Sequence, residues 1–156
     1  MRDVLEVLFP HLRDAGFEIT SPPDPTYNCV AWAAGDVARW WWPSEPTFAY
    51  WPVDVEREET VASFIRAFAT LGYEIASSGA FEAGFEKVAI FASGDGVPTH
   101  VARQLGDGSW TSKLGSLEDI SHVEPTAVEG IDYGNVMAFL KRRMRAIAYT
   151  NPPRIA

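Results

Sequence analysis

No helix can cross Ser21-Pro22-Pro23-Asp24-Pro25, because each proline removes a backbone donor and clashes with the preceding turn. That break makes the next segment a separate local unit. Tyr27-Asn28-Cys29-Val30-Ala31-Trp32-Ala33-Ala34-Gly35 is compact and alanine-rich, and it predicts a helix capped near Thr26–Asn28 and closed near Gly35. Cys29 is the only cysteine in 156 residues. A thiol on the first turn of a helix meets outward-pointing N–H groups and a positive dipole, so the expectation is a favoured thiolate. The plainer role for a free cysteine is that of a small buried hydrophobe.

On the N-terminal side, Val4, Leu5, Val7, Leu8 and Leu12 suit a short amphipathic helix over 3–15, interrupted near Pro10. Phe17-Glu18-Ile19-Thr20 reads as an extended lead-in. Beyond the cysteine segment, Arg39-Trp40-Trp41-Trp42-Pro43, Phe48, Tyr50, Trp51 and Pro52 form an irregular aromatic passage. Glu59-Thr60 then opens a second helix, with Val61, Phe64, Ile65, Phe68 and Leu71 at helical spacing, a Thr60 cap and a stop at Gly72.

The later half reads as sheet. Glu86–Ala92 is a largely buried strand, followed by the turn Ser93-Gly94-Asp95-Gly96; Val97–Leu105 and Ser109–Leu114 are two more, joined across Gly106-Asp107-Gly108. Residues 133–145 fit either a helix (Met137, Leu140, Met144) or a strand (Val136, Ala138, Leu140). The tail from about residue 150, with Asn151-Pro152-Pro153, is expected to fray. With no repeats and no Gly/Ser linker, residues 1–156 are expected to form one α+β domain, its helices early and its antiparallel sheet late.

A net charge of −8 argues against nucleic acid and anionic membrane surfaces as partners. No segment approaches the ~18 apolar residues of a membrane span, and Met1–Glu6 carries acids and no apolar run of signal-peptide length. The expected location is cytoplasmic, although signal-independent secretion would leave no mark. One cysteine and three scattered histidines have no zinc spacing, and the Gly-Asp-Gly turns lack the helix and lysine of a phosphate loop. No metal and no cofactor is expected.

Cysteine chemistry needs a base and oxyanion donors besides the thiol. Of His11, His100 and His122, His100 is the useful candidate, on a strand with Val101, Ala102, Arg103, Gln104 and Leu105. A three-residue loop with Gly108 at positive φ pairs Leu105 with Ser109. Trp110, Ser112 and Leu114 then share the face of His100, and Ser112 steers the ring. A two-residue turn would put Thr111 and Lys113 there instead, and a lysine would suit a base poorly. Asp119 is the alternative third group. Asn28, with the Cys29 N–H, is the candidate oxyanion donor, and Trp40, Trp41, Trp42, Tyr50 and Trp51 are candidate walls of a substrate groove, with core or lid packing the plainer role for most of them.

Asn28-Cys29 followed by Val30-Ala31-Trp32-Ala33, the strand Val88–Ala92, and then Thr99-His100-Val101-Ala102 together resemble the papain-like cysteine hydrolases, especially the compact NlpC/P60 branch of cell-wall peptidases and amidases. There an Asp-Cys or Asn-Cys pair opens a helix, a histidine lies on the second strand of an antiparallel sheet, and a polar residue follows on the next strand. The chain is also similar to a family of uncharacterised bacterial domains with Tyr-Asn-Cys-x-Ala-Trp-Ala, a Trp/Pro-rich passage and Trp-Thr-Ser-Lys-Leu-Gly, here Trp110–Gly115. The resemblance covers about residues 27 to 122. It implies a papain-like fold with N-terminal helices packed on the sheet, Cys29 as nucleophile and His100 as base. It departs at the third residue, usually His, Asn, Gln or Asp, where the hairpin offers Ser112. The functional expectation is a thiol hydrolase or acyltransferase of peptidase or amidase type, acting on an amide, isopeptide or thioester. The competing expectation is an inactive module on the same fold, gripping a protein or glycan through its Trp/Pro-rich segment.

Overall fold

The computed structural model describes residues 2–45 and 48–144. Helices α1 (Arg2–Leu8) and α2 (His11–Ala15) meet at Pro10 and lead into strand β1 (Phe17–Ser21). Helix α3 (Cys29–Ala34) comes after the proline break, and α4 (Val61–Ala69) after the aromatic passage. The chain then runs through β2 (Glu74–Ala76), β3 (Phe85–Ala92), β4 (Pro98–Gln104), β5 (Trp110–Lys113) and β6 (Asp119–His122). A 3₁₀ turn at Pro125–Val128 leads to β7 (Asn135–Arg143). All seven strands join one sheet in the order β1-β6-β5-β4-β3-β7-β2, every pairing antiparallel. The α+β expectation holds.

Strand pairing decides two segments that the sequence leaves less defined. Phe17–Ser21 is an edge strand, Phe17 opposite His122 and Ile19 opposite Ile120. Residues 135–143 take the strand alternative and lie beside the middle of β3, with Leu140 opposite Val88 and Ala138 opposite Ile90. A helix there would have turned Met137 inward; it is exposed instead, while Leu140 is fully buried. Cross-strand pairing overrides the helical spacing. The tail beyond Met144 lies outside the described residues.

β3 is buried on both faces because both faces are covered. Val88 and Ile90 pack with Val101, Leu140, Val30, Phe64 and Phe68, beneath α3 and α4. Ala89 and Phe91 pack with Ala102, Trp110, Leu114, Leu5, Phe9 and Leu12, beneath α1 and α2. The strand period of two sorts these residues between the layers, and each large side chain so buried contributes roughly 1.5–3 kcal/mol. The Thr60 oxygen accepts the Ser63 N–H at 3.1 Å and starts α4 as expected. No helix among the described residues is long and apolar enough to cross a membrane.

Candidate functional site

Asn28 is the N-cap of α3. Its Oδ1 accepts the Ala31 N–H at 3.1 Å and also the Trp41 N–H at 3.1 Å, while Nδ2 donates to the Trp41 carbonyl at 2.8 Å. The amide expected to serve an oxyanion is thus mainly a clamp, tying the helix start to the aromatic passage. Cys29 is the first helical residue and is only 6% exposed. Burial pushes its thiol up to about 11, against the N–H groups of Val101, Val30 and Cys29 itself and the charge of Lys113, all of which favour the thiolate. The expected low-pKa thiol is therefore corrected. A six-residue helix start and three N–H groups do not offset desolvation of the sulfur.

His100 sits on β4 opposite Phe91 on β3. Arg103 opposite Thr111 and Gln104 opposite Trp110 extend the register of the three-residue loop, and Leu105 N–H donates to Ser109 O at 2.7 Å. Gly108 has the required positive φ of 91°. Ser112 is thereby brought to His100, its Oγ 3.0 Å from Nε2. The same Oγ lies 2.8 Å from His122 Nε2, and His122 Nδ1 lies 2.8 Å from the carbonyl of Glu124.

This chain of bonds fixes its own protons. A carbonyl only accepts, so His122 carries its hydrogen on Nδ1 and its Nε2 must accept from the Ser112 hydroxyl. The Ser112 oxygen then accepts from His100 Nε2–H. His100 Nδ1 is left as a bare lone pair, buried and without a hydrogen-bond partner. Burial, and secondarily the charge of His122, hold His100 well below the usual imidazole range; burial likewise lowers His122. Both rings are neutral near pH 7.

The two candidate side chains occupy different sides of β4. Val101 packs in the layer of Cys29, and its N–H, from the peptide that joins it to His100, is one of the groups favouring the thiolate. His100 projects to the other layer, edge-on to Phe91 at 5.1 Å and stacked on Tyr133 with ring centroids 4.1 Å apart. No hydrogen bond joins the thiol to the imidazole. Tyr133 links the two sides: its ring covers His100 and also lines, with Cys29, Asn28, Trp40, Trp42, Glu45 and Thr99, a pocket of about 230 Å³. Burial and then the charge of a Cys29 thiolate raise the Tyr133 hydroxyl well above its usual range.

The other expected residues divide. Trp42 does line the pocket, half-buried, its Nε1 donating to Glu59 at 3.3 Å. Trp41 and Trp51 do not; they are 4% and 2% exposed core residues, with Nε1 donating to Asp36 at 2.9 Å and to the Glu56 carbonyl at 3.0 Å. Burying so large a ring against Phe64 and Phe68 outweighs leaving it in a groove. Asp119 is not the orienting group, since its Oδ2 accepts from Tyr27 at 2.8 Å. Lys113 lies on the Cys29 side, over the Tyr27 ring at 5.1 Å.

Tyr133 and the place of His122 in the relay are additions. His122 is visible in the sequence as a histidine, but its partner depends on β6 pairing with β5, Trp110 opposite His122. Tyr133 carries no sequence signal at all. It is held by a closed loop in which Gly130 and Gly134 exchange hydrogen bonds of 3.1 and 2.7 Å. Among the described residues no three His, Cys, Asp or Glu side chains converge on a metal site.

No curated protein and no solved structure matches the chain. A family model described as "Domain of unknown function (DUF7689)" matches residues 18–141, a span holding α3, α4, the pocket and the whole His100–Ser112–His122 relay. By that match the chain belongs to the DUF7689 family.

Proposed function

We propose that this protein is a papain-like thiol hydrolase or acyltransferase acting on an amide, isopeptide or thioester, with Cys29 as nucleophile and His100 as base. The observation that carries the reading is the relay from the Glu124 carbonyl through His122 and Ser112, which leaves a bare Nδ1 lone pair on His100. A buried polar chain of this kind is costly unless every member is satisfied, and Nδ1 is its one open end. A proton from the attacking thiol is the partner proposed for it.

The chemistry starts from neutral groups. As the sulfur attacks the substrate carbonyl carbon, its proton passes to His100 Nδ1 and the carbonyl π electrons move to oxygen. The tetrahedral adduct collapses by expelling an amine or thiol, which takes the proton from Nδ1–H and leaves a thioester on Cys29. Water, or an acceptor amine, then gives its proton to Nδ1 and attacks that thioester, and the departing sulfur recovers the proton. The N–H groups at the start of α3 stabilise the oxyanion. Catalysis requires the thiol and the imidazole, which share no hydrogen bond in the free protein and lie on different sides of β4, to meet in the substrate complex. The Tyr133 ring, stacked on His100 and lining the pocket, is the element this mechanism requires to move.

The test is acylation by p-nitrophenyl acetate, followed by mass spectrometry and nitrophenol release. An acetyl adduct on Cys29 is expected, absent in Cys29→Ala, with the rate about 100-fold lower in His100→Gln. A native protein left unacylated, or one whose rate is indifferent to His100→Gln, would overturn the reading.

One observation favours a second reading, a binding module without chemistry. The resting thiol is buried and protonated, and no hydrogen bond joins it to His100. The failure of the acylation test is its signature.

A further inference from the structure

We infer that the pocket beside Cys29 selects a lysine side chain on the acyl donor, an inference that refines the proposed activity and rests on it. The pocket has about 230 Å³, below the ~300–1,000 Å³ of drug-sized sites. It has room for one side chain and not for a folded segment. What lines it is ring carbon. The Trp40 Nε1–H is spent on the Pro25 carbonyl at 2.6 Å, and the Trp42 Nε1–H on Glu59 at 3.3 Å. Both indoles are thus pinned from behind, and neither offers its donor to a ligand.

The polar groups in the lining are also mostly committed. The Thr99 hydroxyl donates to the Tyr133 carbonyl, and the Asn28 amide is held by Ala31 and Trp41. One charged side chain remains. Glu45 lines the pocket, is exposed, and makes no hydrogen bond or ion pair among the described residues. Aromatic carbon with a single unpaired carboxylate complements an aliphatic stem ending in an ammonium group, since ring faces attract cations and the carboxylate supplies the counter-charge. A glutamate or aspartate side chain would meet like charge, and a neutral apolar one would leave the carboxylate unused.

The test tracks the indole N–H signals of Trp40 and Trp42 by NMR. The native protein is titrated with N-acetyl-lysine methylamide, its neutral norleucine analogue and n-butylammonium. The lysine compound is expected to bind at least about fivefold more tightly than the norleucine one, a preference lost in Glu45→Gln and in Trp42→Leu. Equal binding of lysine and norleucine, or a preference that survives Glu45→Gln, would overturn the inference. Butylammonium, which carries the stem and ammonium of the side chain alone, is expected to shift the same two signals; no shift at saturating butylammonium would also overturn the inference. Lysine preference without acylation of Cys29 would sink the proposed chemistry and leave the recognition standing.

Discussion

The imidazole Nε2 of His100 lies 3.0 Å from the hydroxyl of Ser112, on the neighbouring strand and wholly buried. Serine alone orients a ring weakly because its hydroxyl rotates. Here His122, 2.8 Å away on the next strand, fixes that rotation by taking the hydroxyl proton. Three strands each contribute one residue, and each depends on the next for its protonation.

Replacing Ser112 by alanine leaves a donor on His100 and an acceptor on His122 unpaired inside the protein. Each costs about 1–3 kcal/mol. Thermal unfolding reads that loss, and ¹⁵N NMR of the ring nitrogens reads the tautomer. His100 should be Nε2-protonated in the native protein and a mixture in Ser112→Ala. A native His100 protonated on Nδ1 would rule out the relay as drawn.

Stability should fall on acidification through the histidine range. Burial depresses the folded pKa of His100 strongly and that of His122 as well. The native state therefore binds fewer protons than the unfolded chain below the ordinary value near 6.5. The stabilisation is complete above that value and is lost as pH drops from it toward the folded pKa, by up to about 1.4 kcal/mol per pH unit for each ring. Denaturant midpoints between pH 7 and 5 check this, and His122→Gln should flatten the slope. A midpoint that does not move across that interval would contradict the burial assignment.

Cys29 should react sluggishly with a simple alkylating agent. With its pKa pushed up to about 11 from 9.0, the folded protein at pH 7 holds about 100-fold less thiolate than the unfolded chain. Iodoacetamide labelling should be slower in the native protein than in denaturant and should climb without a plateau until pH approaches 11. A neutral-pH plateau would mean a resting thiolate–imidazolium pair, which the structure does not hold. The raised thiol also makes Cys29 destabilising at high pH, with stability lost between the unfolded value and the folded one.

Gly134→Ala should detach Tyr133. Gly134 has φ of 70°, and an added Cβ would come within 2.1 Å of the Ala92 carbonyl oxygen. Positive φ costs roughly 1–3 kcal/mol for an ordinary residue, and the clash adds to it. Loss of ring-current shifts on His100 in proton NMR would report the broken stack. An unchanged melting temperature and unchanged shifts would show that the loop adjusts without consequence.

Local sequence determined a good part of this protein. The proline run stops the chain, the Asn28 side chain caps α3, Thr60 caps α4, and Gly108 sets the β4–β5 register that brings Ser112 to His100. Each of these is decided within a few residues, by a donor, a fixed φ or a spacing. What only the tertiary structure decided involves partners far apart. Residues 135–143 became a strand because β3 had a free side to pair with. His122 entered the relay because β6 lies beside β5, Trp41 and Trp51 went into the core against α4, and Tyr133 came to rest on His100. The pKa of Cys29 belongs with these. The helix start argues for a thiolate, but the layer packed over it removes the water a thiolate needs, and that layer is assembled from segments throughout the chain.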